Sequence, residues 1–234
     1  NAMHGQAGQY HVVRDARGRR LWLDGSTYRP THDAQPLRLS IDLNIQAIAQ
    51  AELTAAVAEF NAVSGQMVVM DPRTGEVLAI ALWPTFDPGE LAESEAAQRR
   101  NRAVTDVFEP GSIFKPVVWA GLTQLGVADP DESIDCTEAG YYISPQGRAL
   151  RDAAGHGELT WDEVLVQSSN IGMFIAAQRT GVEQLHAIVR SFGFGRETGS
   201  GLPGEQPGLV NPLRRWNHYS QSSVPMGQEI AVTG

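Results

Sequence analysis

Three stretches predict an α+β fold in which helices cover an antiparallel sheet. The first is a hairpin. Gln66-Met67-Val68-Val69-Met70 and the run Glu76 to Leu82 flank Asp71-Pro72-Arg73-Thr74-Gly75. Asp-Pro-x-x-Gly is turn chemistry, because Pro presets φ and Gly accepts a positive φ. Both arms are nearly continuous apolar runs, which predicts a strand pair covered on both faces. The second is Asp42, a good N-cap, followed by Ile45, Ile48, Ala49, Leu53, Ala56, Val57 and Phe60 at helical spacing. The third is Thr160-Trp161-Asp162-Glu163, a capping box that opens a series of short helices.

The bulk numbers bound the possibilities. The 234 residues fit one large domain, and 42% apolar with 19% charged residues supports a packed core. A net charge of −9 gives no electrostatic reason to bind nucleic acid, and there is no basic stripe interleaved with aromatics. The single cysteine, Cys136, excludes an internal disulfide framework and any cysteine-rich zinc site, and reads as a small buried apolar residue. The histidines (4, 11, 32, 156, 186 and 218) show no ligand spacing, so no metal or other cofactor is expected. No window has the apolar length of a membrane span.

In chain order, residues 1–36 read as a leader: Asn1-Ala2 before Met3 has the look of an expression scar, then an extended lead-in. Within it Tyr10-His11-Val12-Val13 and Leu21-Trp22-Leu23 are strand candidates around an Asp15–Gly18 turn. Leu37 to Ile41 alternates and predicts a strand before the first long helix. After the hairpin, Glu90 to Arg102 is helix-capable and polar. A helix through Ser112 is expected to reach about Leu125, stopped by Gly126. Residues 127–158 read as irregular. Their Asp129-Pro130-Asp131-Glu132 cluster lacks the glycine and terminal glutamate of a calcium loop, so it reads as a solvated loop. Short helices follow to Gln167, from Ile171 to Arg179 and from Val182 to Ser191, then a Gly- and Pro-rich loop over 193–215.

The chemistry concentrates at Glu109-Pro110-Gly111-Ser112-Ile113-Phe114-Lys115-Pro116. A spacing of three puts Ser112 and Lys115 on one face of a helix start. Free N–H groups and the dipole at that end suit a developing oxyanion. Lys115 is the only lysine; every other cationic side chain in the Lys/Arg class is Arg. Arg cannot be deprotonated in a protein, whereas a buried Lys can act as a base. The one titratable amine therefore stands where a serine nucleophile would need it. Ser168-Ser169-Asn170 falls where one helix hands over to the next. There Ser168 can pass a proton, and Asn170 can hold an amide by donor and acceptor. Caps alone would also explain those residues.

Taken together, residues 37–234 resemble the transpeptidase domain of class B penicillin-binding proteins. The resemblance rests on Leu39-Ser40-Ile41-Asp42-Leu43-Asn44-Ile45-Gln46, Met70 to Ala79, Asn101-Arg102-Ala103-Val104 with Glu109 to Lys115, and Ser168-Ser169-Asn170-Ile171-Gly172. Later landmarks are Phe192-Gly193-Phe194-Gly195 and Gly227 to Thr233. Ser-x-x-Lys is a motif of that serine-acylase group. The resemblance implies the penicillin-binding-protein/serine β-lactamase-like transpeptidase fold, with the C-terminal part of the sheet missing. It implies that Ser112 attacks the D-Ala-D-Ala bond of peptidoglycan stem peptides, with Lys115 as base. Ser168 would relay a proton to the departing D-alanine, and Asn170 would position peptide and lysine. β-Lactam antibiotics would acylate Ser112. The family also implies protein partners in a cell-wall synthesis or cell-division complex, a part in cell shape or division, and an N-terminal anchor in the bacterial inner membrane facing the periplasm.

One departure shapes the expectation. The family's third motif, Lys-Thr/Ser-Gly, requires a second lysine, which this sequence lacks. Val232-Thr233-Gly234 is not that motif; in the family those positions belong to a helix before it. The domain is therefore expected to stop short of the third motif, to lack the substrate carboxylate's anchor and one oxyanion donor, and to be a poor catalyst on its own. Losing one such donor costs about 10²–10³ in rate. The open strand pair would favour self-association. Two other readings stay open: a serine β-lactamase or β-lactam sensor of the same fold, and a non-catalytic scaffold domain of a cell-wall complex. The lifetime of a penicillin adduct separates the enzymes, and its absence points to the scaffold.

Overall fold

The computed structural model describes residues 6–33 and 37–234. The supposed scar at Asn1-Ala2 lies outside them. The lead-in is a hairpin: β1 (Gln9–Arg14) pairs antiparallel with β2 (Arg20–Arg29). Asp15 closes its turn by accepting from Gly18 N at 2.9 Å.

No strand forms over 37–41. Ser40 Oγ donates to Val77 O (2.6 Å) and Asp42 N to Leu78 O (2.9 Å), but no ladder follows. Chain reversal into α1 (Leu43–Glu59) comes first, because Asp42 accepts from the N–H groups of Asn44 and Ile45 and caps that helix. The hairpin is present as β3 (Gly65–Met70) and β4 (Val77–Trp83), paired Val68 to Ile80 at its centre. The far edge of β4 meets side chains instead of another strand. The Gln46 amide of α1 donates to Ile80 O (2.9 Å) and accepts from Ile80 N (2.8 Å), and Gln50 Nε2 donates to Leu82 O (3.1 Å). On one face Ala79 and Ala81 are sealed by Ala49, Leu53 and Val57 of α1. The other face is only half-buried, so the expected two-sided cover is partial. Ile48 and Phe60, counted in the helical spacing, are exposed.

Residues 90–102 do not form one helix. A 3-10 turn over Pro88–Glu93 is followed by the single turns α2 (Ala96–Arg99) and α3 (Arg102–Thr105). Ser94 and Arg100, both extended, separate them. Next come a 3-10 turn over Gly111–Phe114 and α4 (Lys115–Gln124), so the helix starts three residues later than the sequence suggests.

The region read as irregular contains four short strands: β5 (Ser133–Asp135), β6 (Tyr141–Ile143), β7 (Ala149–Arg151) and β8 (Glu158–Thr160). They pair β5 with β8 and β6 with β7. Three-residue strands with single buried residues leave too little periodicity to read. The Thr160–Glu163 capping box opens α5 (Trp161–Val166); α6 (Asn170–Ala177) and α7 (Val182–Ser191) follow. After the long loop, β9 (Leu209–Val210) pairs with β10 (Ile230–Ala231), flanking α8 (His218–Ser223). Val232, expected in a helix, instead bridges antiparallel to Phe108. Every sheet among the described residues has two strands.

The main core lies between α4, α5, α6 and α7, with Phe114, Val118, Trp161, Met173 and Leu185 at its centre. Cys136 is part of it and fully buried. Gly121 lets α4 cross α7 closely: a Cβ there would lie 2.3 Å from Ile188 Cγ2. Among the described residues no helix is long and apolar enough to cross a membrane.

Candidate active site

Ser112 lies exposed on the Gly111–Phe114 turn. In a 3-10 turn residues i and i+3 eclipse, so Lys115 follows directly above it. Phe114 turns inward to the core and packs edge-on against Phe194 (4.9 Å). That fixes the turn from below and leaves Ser112 facing out.

Lys115 is the largest charged side chain in the interior, at 1% exposure. Its Nζ donates to Ser168 O (2.5 Å) and to Ser168 Oγ (3.0 Å). No hydrogen bond joins it to Ser112. Burial lowers its pKa from 10.5 to about 8, while the Asp152 charge pulls it back up. Near neutrality a minor but real fraction of the amine is therefore unprotonated, as a base requires.

Ser168 sits in the link between α5 and α6 with φ +54°, a left-handed conformation that costs an L-residue about 1–2 kcal/mol. Its N–H to Leu165 O (3.1 Å) and the two bonds from Lys115 hold it there. Ser169, fully buried, is the N-cap of α6 and accepts from Gly172 N (2.9 Å). Asn170 is the first residue of α6; its Nδ2 donates to Arg151 O (2.7 Å), at the end of β7. The structure thus brings Lys115 and Ser168 into contact. It ties Asn170 to β7, and neither Ser112 nor Asn170 bonds to the lysine.

Sequence reading missed Asp152. Its Oδ2 accepts from Ser169 Oγ (2.5 Å), and its Oδ1 from Asn170 N (2.6 Å) and Ile171 N (3.2 Å). One carboxylate thereby takes two of the free N–H groups of α6, beside the one that Ser169 Oγ takes, and orients Ser169 and Asn170. A Ser-Ser-Asn helix start signals orphan donors, but nothing in the sequence says that their acceptor comes from the residue just after β7. Cys136 lies beneath: burial pushes its thiol up, with the Ser169 hydroxyl acting against it.

The last segment of the chain clasps the Ser112 turn. Gly111 N donates to Gly227 O (3.0 Å), Glu229 N to Glu109 Oε1 (2.9 Å), and Phe108 and Val232 exchange backbone bonds (3.0 and 2.9 Å). A cavity of about 380 Å³ lined by Phe192–Thr198, Gln206, Pro207 and Ala231–Gly234 lies elsewhere; none of Ser112, Lys115, Ser168 or Asn170 lines it.

Comparison with known proteins gives this arrangement a setting. Residues 65–234 match the penicillin binding protein transpeptidase domain. The chain is 36% identical over 234 residues to the probable peptidoglycan D,D-transpeptidase PenA of Neisseria meningitidis, covering 100% of this chain and 40% of that protein. It is 37% identical over 229 residues to the peptidoglycan D,D-transpeptidase FtsI of Escherichia coli, covering 98% and 38%. It thus spans about two-fifths of the length of these relatives. Penicillin-binding protein 3 of Mycobacterium tuberculosis, solved with aztreonam, superposes with a TM-score of 0.79 at 34% identity, over 88% of this chain and 46% of that one. The transpeptidase domain of penicillin-binding protein 3 from Burkholderia pseudomallei gives 0.73 at 32% identity, over 85% and 56%. With most of its length matched to one family model and the same fold in solved members, the chain belongs to the penicillin-binding protein transpeptidase family.

Proposed function

We propose that this chain carries the acylating residues of a peptidoglycan D,D-transpeptidase. Ser112 Oγ attacks the carbonyl between the two terminal D-alanines of a stem peptide, and neutral Lys115 takes its proton. The Ser112 N–H donates to the developing oxyanion. The C–N bond then breaks, and Ser168 delivers a proton to the departing D-alanine amine, with Lys115 replenishing Ser168. Asn170 offers its amide to the stem peptide. An amine of a second stem attacks the Ser112 ester, forms the cross-link and regenerates the serine. A β-lactam acylates the same oxygen and stays.

The observation that carries this reading is the buried Lys115 amine, with a pKa near 8, hydrogen-bonded to Ser168 one turn from an exposed serine. Asp152, the carboxylate whose charge acts on Lys115, is already occupied by three donors. That leaves it ill placed to activate water, and favours a lasting acyl-enzyme over a hydrolase. We infer that the complete protein acts at the periplasmic face of the bacterial inner membrane with other wall-synthesis proteins; the names of its relatives, the peptidoglycan D,D-transpeptidases PenA and FtsI, support this reading. The sequence holds no Lys-Thr/Ser-Gly triad, so the full reaction is assigned to the complete gene product.

Intact mass after incubation with benzylpenicillin tests the proposal, on this chain, on the complete gene product and on its Ser112→Ala variant. The expected result is an adduct on the complete product that lasts hours and is lost in the variant. An adduct that clears within seconds would make the protein a hydrolase. No adduct on a folded, complete product would leave the scaffold reading.

A further inference from the structure

The Ser112 turn needs an external brace. Its own 3-10 turn is a single one, too short to be stable alone, and it is entered through Gly111 at φ +61°. The brace comes from residues 227–232, far away in sequence, through contacts to Phe108, Glu109 and Gly111 just before the nucleophile. Glu109 Oε1 accepts from Glu229 N, and Gly111 N donates to Gly227 O. Both braces are themselves held in left-handed conformations, Gly227 at φ +73° and Glu229 at φ +60°. Ser220 Oγ fixes Glu229 by donating to its Oε2 (2.8 Å). At Gly227 any Cβ would lie 2.0 Å from Gly111 O, so that contact has no slack. Glycine takes a left-handed φ freely, so the strain sits at Glu229, and strain kept in place by surrounding bonds is a mark of a preorganised site.

We infer that Glu109 is a positioning residue: through its hydrogen bond to the Glu229 amide it locks the Gly227–Glu229 brace onto the turn and sets the aim of the Ser112 oxygen. This inference rests on the acylation reading above. Glu109 acts as an acceptor, with no proton to move. An acceptor oxygen in the same place is therefore sufficient, and a missing one misaligns the nucleophile without emptying the site.

Acylation of the complete gene product by benzylpenicillin, followed by stopped-flow or rapid-quench mass spectrometry, separates the limiting acylation rate from the half-saturating concentration. Glu109→Ala is expected to lower the limiting rate about 10²-fold, the usual cost of a small misplacement, and to leave half-saturation and melting temperature nearly unchanged. Glu109→Gln keeps an acceptor oxygen and is expected to recover the rate to within about threefold of the parent. An unchanged limiting rate in Glu109→Ala overturns the inference. So does a Gln variant as slow as Ala, which would make Glu109 a proton-transfer group instead. A fall in melting temperature and active fraction, with a normal rate for the fraction that reacts, also overturns it in favour of a purely structural role. A parent that forms no adduct overturns the acylation reading, and this inference with it.

Discussion

Burial holds the Lys115 amine near pKa 8 against the pull of the Asp152 carboxylate, and both effects predict measurable pH behaviour. Acylation of Ser112 is expected to rise about tenfold per pH unit below 8 and to level off above it, as the neutral amine becomes the majority form. Asp152→Asn removes the charge that raises this pKa, so the midpoint shifts to lower pH; a midpoint that stays put or rises would sink the assignment of Lys115 as base. The same shift is a stability statement. The folded pKa lies below the unfolded 10.5, so between about 8 and 10.5 the unfolded chain binds more protons and stability rises with pH. At neutral pH the buried amine costs about 3 kcal/mol, from a shift between 10.5 and about 8. Lys115→Met is therefore expected to be more stable than the parent at pH 7, with the gap closing toward pH 10.5. Urea midpoints at matched pH measure it, and a gap that stays constant would refute the sign.

Among the elements, α6 depends most on a residue outside it. Asp152 accepts from Ser169 Oγ and from the amides of Asn170 and Ile171, so Asp152→Ala strands three donors at one helix end. The expected cost is about 2 kcal/mol, at the upper end for a cap. Amide exchange of Asn170 and Ile171 should quicken while α4 stays protected; uniform protection would show that α6 does not need the carboxylate. This element also shows where sequence reading runs out. The helix and its Ser-Ser-Asn start were legible because caps and apolar spacing act locally. The acceptor was not, because it arrives by tertiary packing of β7. In the same way, the capped α1 and the Asp-Pro-x-x-Gly hairpin followed from local chemistry. The strand expected over 37–41 did not form, because Asp42 turns the chain into α1 right after its contact with Leu78 O, and farther along β4 Gln46 and Gln50 take the edge bonds. Ser112 and Lys115 were legible from their spacing and from the lone lysine. The contact between Lys115 and Ser168 was not legible, because only packing brings the two together.

Among the described residues there are three apolar clusters, and two of them, in different parts of the chain, share no residue. One lies under α1 with Ala79 and Ala81, the other among α4 to α7. The first is small, and its helix leaves Leu43 and Phe60 exposed at 81% and 75%. Units with few buried contacts open first. Native-state hydrogen exchange is therefore expected to find α1, β3 and β4 opening at lower free energy than α4 and α6. One common opening energy would contradict a two-part molecule. The open apolar strand face anticipated from the sequence is narrower than that reading suggests, since Met70 is the one exposed residue of β3 and β4.

The solitary lysine has a further use. Growth on isotopically labelled lysine places a single enriched amine in this chain, at the centre of the candidate site. Its side-chain resonance needs no assignment. Following that one signal through a titration would read the protonation of the proposed base directly in the unaltered polypeptide, free of substrate, inhibitor or mutation.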